Sequence, residues 1–178
     1  MSLNLPTKPL EPFNVLAFDP GGTTGWARAL LPGEIEDNVE LESILLETGE
    51  FTGQHHEELY NFIVDMADGE KSLEVVSEPF HFRQHKDNPR QGLELVSCEY
   101  IGVMRLACAQ LGLRYYDRFT PGEAKRYVTD KKLELLGWLQ TPVTPMRHRN
   151  DALRQLVKYL IVKKSVRHPI TTSWKREA

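Results

Sequence analysis

Asp19 and Glu78 each close a short apolar run, Asn14-Val15-Leu16-Ala17-Phe18 before the first and Leu73-Glu74-Val75-Val76-Ser77 before the second. Runs of this length that end in turn residues, here Pro20-Gly21-Gly22 and Pro79, read as buried strands. In an open α/β sheet, ligands bind in the crevice beyond the strand C-termini. Neighbouring strands would bring the two acids together there with nothing to neutralise them. Like charges taken out of water repel, so such a pair persists only with a cation or with raised pKa values. Oxygen ligands of this kind suit Mg²⁺ or Mn²⁺. A third acid, Asp151, lies in Arg147-His148-Arg149-Asn150-Asp151-Ala152, at the start of the last expected helix. His148 precedes it by three residues, which puts both on one side if the first turn includes them. Singly, each acid has an ordinary use: a turn cap for Asp19, a strand-end surface group for Glu78, a helix cap for Asp151. Together they are less easily explained that way.

The remaining elements must position these groups. Residues 1–12, with Pro6, Pro9 and Pro12, read as a loose tail. After the first strand, Thr24–Leu30 reads as a second, joined by a tight turn, and a third strand is expected within Val39–Phe51. Gln54–Asp68 fits a helix with Leu59, Phe62, Ile63 and Met66 on one face. A long helix is expected over Gln91–Leu111 and a strand over Leu113–Asp117. Thr120-Pro121-Gly122-Glu123 is a helix start with a cap, a proline at the first position and a capping-box Glu. That helix is short, and a second small one should run from Thr129 to Leu136. Asn150–Val162 is the last helix, with Leu153, Leu156, Val157, Leu160 and Ile161 facing inward. This order of elements predicts an α/β fold: a mixed five-stranded sheet, antiparallel over its first three strands and then parallel, with helices on both faces.

The 178 residues suit one domain, with ordinary hydrophobic (40%) and charged (26%) content. No run is apolar enough to span a membrane, and Met1–Leu10 lacks a signal-like stretch. The expectation is a cytoplasmic protein of a bacterial cell or a phage-infected one. Cys98 and Cys108, without zinc-ligand neighbours, read as reduced packing residues. The net charge of −3 hides an asymmetry. Up to Glu78 there are three Lys and Arg against sixteen Asp and Glu; from Pro79 onward there are nineteen against nine. Phosphate binding depends on a local basic surface rather than on bulk charge. After Glu78 comes Phe80-His81-Phe82-Arg83, then His85, Lys86 and Arg90. Aromatic side chains among basic ones suit unstacked bases and phosphates, although one Phe could equally anchor the loop to the core.

Phe18-Asp19-Pro20-Gly21 with Thr24-Gly25-Trp26-Ala27, then Val75-Val76-Ser77-Glu78, then His148-Arg149-Asn150-Asp151-Ala152-Leu153, resembles the RuvC-type Holliday-junction resolvases, their bacteriophage relatives in particular. The likeness runs in order from Val15 to Leu160. It implies a ribonuclease-H-like nuclease domain over residues 13–165, followed by a basic tail, 166–178. By that resemblance the protein is a homodimer, joined through the helix around residues 91–111, that cuts opposing strands of a four-way DNA junction. Asp19, Glu78 and Asp151 match the family's metal-binding acids, and His148 matches a further ligand position; a capping or surface role for His148 stays open. Two Mg²⁺ ions per site are implied, with Mn²⁺ able to substitute. Phe80 or Phe82 would wedge the junction centre. The family's Gly-rich, Lys-bearing loop is altered here to Ala124-Lys125-Arg126-Tyr127-Val128-Thr129-Asp130-Lys131-Lys132. Lys125, Lys131 or Lys132 would then face the scissile phosphate. Arg83, Lys86, Arg90, Arg147 and Arg149 join these as expected DNA contacts.

Three other readings stand beside this one. The first keeps the chemistry but acts on flaps, forks or RNA–DNA hybrid. A second is a DNA-binding module that has lost its chemistry on the same fold. The third takes Asp19-Pro20-Gly21-Gly22-Thr23 as the phosphate loop of sugar kinases and actin-like ATPases. Those proteins enclose ATP between two such domains, which 178 residues cannot supply.

Overall fold

The computed structural model describes residues 13–31, 44–53, 55–68, 72–79, 95–143, 147–164 and 166. The two apolar runs that end in Asp19 and Glu78 are strands β1 (Phe13–Asp19) and β4 (Leu73–Ser77). With β2 (Thr23–Leu31), β3 (Leu45–Thr52) and β5 (Arg114–Tyr116) they form one sheet in the order β3-β2-β1-β4-β5. β1, β2 and β3 pair antiparallel, and β4 and β5 add on parallel to β1. The expected mixed sheet is the observed one.

Alternation along β1 divides the core in two, because successive side chains leave opposite faces of a strand. Leu16 and Phe18 face α1 (His56–Ala67) and α2 (Val96–Leu111), meeting Leu59, Ile63, Tyr100 and Met104. Val15 and Ala17 face the other side, where α3 (Pro121–Tyr127), α4 (Asp130–Leu135) and α5 (Arg147–Val162) bury Val128, Leu133, Leu153, Leu156 and Leu160. Each of these β1 side chains is fully buried, which is why the runs around Asp19 and Glu78 read as continuous apolar stretches. The capping box at Thr120 forms as expected: Thr120 Oγ1 accepts from Glu123 N–H, and the Glu123 carboxylate accepts from Thr120 N–H. Far from the acids, buried Glu74 is held by Tyr159, Lys164 and Arg114.

Two helix boundaries differ from expectation. α2 begins at Val96, with Leu95 as its N-cap, and not at Gln91. α5 begins at Arg147, not Asn150. The extra turn is possible because Gly25 on β2 has no side chain. A Cβ there would sit 2.1 Å from the carbonyl oxygen of His148 and 2.7 Å from the Arg149 nitrogen. Buried Asn150 fastens the same turn, accepting from Gln140 N–H (2.9 Å) and donating to Gln140 O (3.0 Å). Gly25→Ala should therefore lower stability by about 1–3 kcal/mol, as overpacking against fixed backbone does. Urea unfolding measures this, and an unchanged midpoint would contradict the contact.

Candidate active site

β1 is flanked by β2 on one side and by β4 on the other. The parallel register pairs Phe18 with Ser77, so Asp19 and Glu78 leave the sheet at the same level. The first turn of α5 lies over this end and adds His148 and Asp151. Nδ1 of His148 is 2.8 Å from Oδ2 of Asp19, and because a carboxylate only accepts, the ring N–H donates. That hydrogen bond holds the His148 pKa above its ordinary value; partial burial opposes it, while the charges of Asp19, Asp151 and Glu50 reinforce it.

Asp151 carries cations on both oxygens. Nζ of Lys125 on α3 is 2.9 Å from Oδ2. Nη1 of Arg154, one turn along α5, donates to Oδ1 at 2.5 Å. Arg154 also donates through Nε to Val128 O (3.2 Å) and through Nη2 to Asp130. Arg147 Nε stands 3.9 Å from Asp151 Oδ2. Glu78, Lys125, Asp151 and Arg154 line one small pocket with Pro121, Ala124 and Gln155.

The turn after Asp19 is tied down from three directions. Ser97 on α2 donates to Pro20 O (2.9 Å), and Gly53 N–H donates to Gly22 O (3.1 Å). Gly21 N–H donates to Thr24 Oγ1, which lies 2.9 Å from Nε2 of buried His55. Desolvation lowers the His55 pKa, and its Nδ1–H donates to Gly53 O, so the ring acts as a neutral strut.

The structure places Asp19, Glu78, His148, Asp151 and Lys125 at one end of the sheet in two contact groups, Asp19 with His148, and Glu78 with Lys125 and Asp151 in the pocket. Lys132 instead donates to Tyr127 O (2.9 Å), and Lys131 is exposed on α4. Arg147 is exposed, whereas Arg149 turns toward Glu50 on β3, Nε to Oε1 3.7 Å. Phe80, Phe82, Arg83, Lys86 and Arg90 lie outside the described residues, as do residues 1–12 and 167–178. Four residues here escaped sequence reasoning. Arg154 was signalled by its position three after Asp151. Glu50 shares a rung with Gly25 and Asp19, which only the strand register reveals. The strut formed by Thr24 and His55 has no sequence signal.

Among the described residues, no three His, Cys, Asp or Glu side chains converge as the ligands of one ion would. The donor types at this sheet end, three carboxylates and an imidazole, are nevertheless those a hard divalent cation takes, with Asp19 and Asp151 mostly buried and His148 40% exposed. Asp19 is held by His148 and Asp151 by Lys125 and Arg154, so these two acids are met by the chain's own groups.

A sheet antiparallel on one side of β1 and parallel on the other, covered by helices on both faces, defines the ribonuclease-H-like fold. Within that class the chain has the fold of RuvC. It is similar to Thermus thermophilus RuvC in complex with Holliday junction substrate, with a TM-score of 0.60 and 15% identity over 86% of this chain and 96% of that one. A second structure of the Thermus thermophilus protein gives a TM-score of 0.58 at 15% identity, covering 86% and 98%. No protein-family model and no curated protein matches the sequence. Among the described residues no helix is long and apolar enough to cross a membrane.

The His148–Asp19 bond makes a pH prediction. A histidine with a raised folded-state pKa contributes its full stability below the unfolded value of 6.5 and loses it as pH rises through the folded value. The stability gap between wild type and His148→Ala should be widest below pH 6.5 and shrink at alkaline pH in denaturant melts. A gap independent of pH would contradict the pairing.

Proposed function

We propose that the protein is a divalent-cation-dependent endonuclease that resolves four-way DNA junctions. The observation that carries this reading is the meeting of Asp19, Glu78, His148 and Asp151 at one end of a RuvC-fold sheet, with Lys125 beside them. Asp19, Glu78 and Asp151 would hold Mg²⁺, or Mn²⁺ in its place, with His148 as a further ligand or as the group that orients water. When bound, such ions neutralise charge developing on a phosphate under attack.

The chain's own residues do the rest. Ser97 and the strut of Thr24 and His55 fix the turn after Asp19, so its carboxylate keeps one position. Lys125 is the lysine this reading assigns to the scissile phosphate, because it already stands at the acids; its ammonium would offset charge in the transition state. Exposed Arg126, Lys131 and Arg147 surround that point on α3, α4 and α5 and supply local positive potential for the DNA backbone. This reconciles a net charge of −3 with a polyanionic partner.

Paired cutting needs two sites. The outward face of α2 leaves Leu95 and Leu106 at 42% and 55% exposure, beside exposed Gly102 and Ala109. A second copy docked on that face would give a homodimer whose two sites address opposing strands.

End-labelled four-way junction, Y-fork, duplex and RNA–DNA hybrid, each with Mg²⁺ or EDTA, test the reading. Expected are symmetric nicks in the junction that require Mg²⁺ and fall at least about a hundredfold in Asp19→Asn. Equal cutting of forks or hybrid would move the substrate elsewhere, and binding without cutting would leave a DNA-binding module. Leu106→Asp should sediment as a monomer and lose paired nicking; a dimer that persists would rule out α2 as the interface.

A further inference from the structure

Both oxygens of Asp151 carry a cation of the chain itself, and the two cations differ in what holds them. The Arg154 side chain is 10% exposed and bonded on three sides, to Asp151, Asp130 and the Val128 carbonyl. Pulling it away would strand a buried guanidinium without partners, which interiors tolerate poorly. The Lys125 side chain is 43% exposed and meets Asp151 through Oδ2. Its ammonium, on a flexible stem, can turn from carboxylate to water at little cost. Glu78 lines the same pocket as this pair.

We propose that Arg154 is a fixed clamp on Oδ1 of Asp151, whereas Lys125 is a placeholder on Oδ2 that an incoming divalent cation displaces. The inference rests on the nuclease reading and deepens it. Before the ion arrives, the lysine relieves repulsion among the acids. Displaced, it stands free beside the site to meet a DNA phosphate. Asp151 therefore offers the ion one oxygen, with its other fixed by Arg154. Two effects of opposite sign follow for one residue. Loss of the ammonium removes a competitor for Oδ2 and tightens cation binding, while the phosphate loses its neutralising partner and cutting slows. A lysine with a purely structural role would produce neither pairing.

Calorimetric titration of Mn²⁺ into the full chain without DNA reads the first effect directly. Lys125→Met and Lys125→Ala should each bind Mn²⁺ about tenfold tighter than wild type, since one nearby positive charge is gone. Lys125→Arg, which keeps the charge, should match wild type. The Arg154 Nη1–H resonance, from the group that donates to Asp151 Oδ1, should stay protected from solvent exchange when Mg²⁺ is added. Unchanged or weaker binding in both neutral variants, or equal tightening in Lys125→Arg, would overturn the placeholder and leave the nuclease reading standing. Loss of the Arg154 protection on adding Mg²⁺ would overturn the clamp. No Mn²⁺ binding by any of these proteins would overturn both the inference and the reading beneath it.

Discussion

The missing side chain of Gly25 is the constraint on which the site depends. Helix backbones ordinarily keep several ångströms from a sheet because Cβ atoms intervene. Here the first turn of α5 comes within 2.1 Å of where a Cβ would stand on β2. Gly25 is paired across the sheet with Asp19, so the turn that settles on it lies directly over the end of β1. His148 thereby reaches the Asp19 carboxylate, and Asp151, one turn on, reaches the pocket that Glu78 lines. The same seat aligns Arg149 with Glu50 on the next strand. One absent methyl group sets the position of His148, Arg149 and Asp151.

Electrostatic balance is the second organising fact. Carboxylates grouped at a largely dehydrated sheet end raise the energy of the fold unless something opposes their charge. The chain answers with groups of its own, a histidine on Asp19 and a lysine and an arginine on Asp151. The buried Arg154 does more than neutralise, because it also ties α5 to Asp130 and the Val128 carbonyl between α3 and α4. These ties lie within the basic half of the chain; the contacts from α5 that reach the acidic half are His148 to Asp19 and Arg149 to Glu50.

The fold was largely legible because its signals are local. Continuous apolar runs gave β1 and β4, the Thr-Pro-Gly-Glu start gave α3, and periodicity gave α1 and α5. The acids were legible because each closes such a run or precedes such a helix. What stayed hidden depends on contacts between distant segments. Helix periodicity places the start of α5 at Asn150, since nothing in residues 147–149 is apolar; the contacts that hold this turn are the seat on β2 and the Gln140 backbone. Glu50 sits in a stretch with no clear alternation, and its place beside Gly25 follows from hydrogen-bond register alone. Three lysines were equivalent in sequence. The path of α3 and α4 separated them, sending Lys132 to the Tyr127 carbonyl and Lys125 to Asp151.

The central claim is that Asp19, Glu78, His148 and Asp151 form one cation-dependent centre. Crystals grown with Mn²⁺, measured at the manganese absorption edge, test it without reference to substrate or rate. The account predicts anomalous density at the C-terminal end of β1 and β4, in contact with the carboxylates of Asp19 and at least one of Glu78 and Asp151. Manganese found elsewhere on the chain, with the His148–Asp19 and Lys125–Asp151 pairs left intact at saturating Mn²⁺, would contradict it.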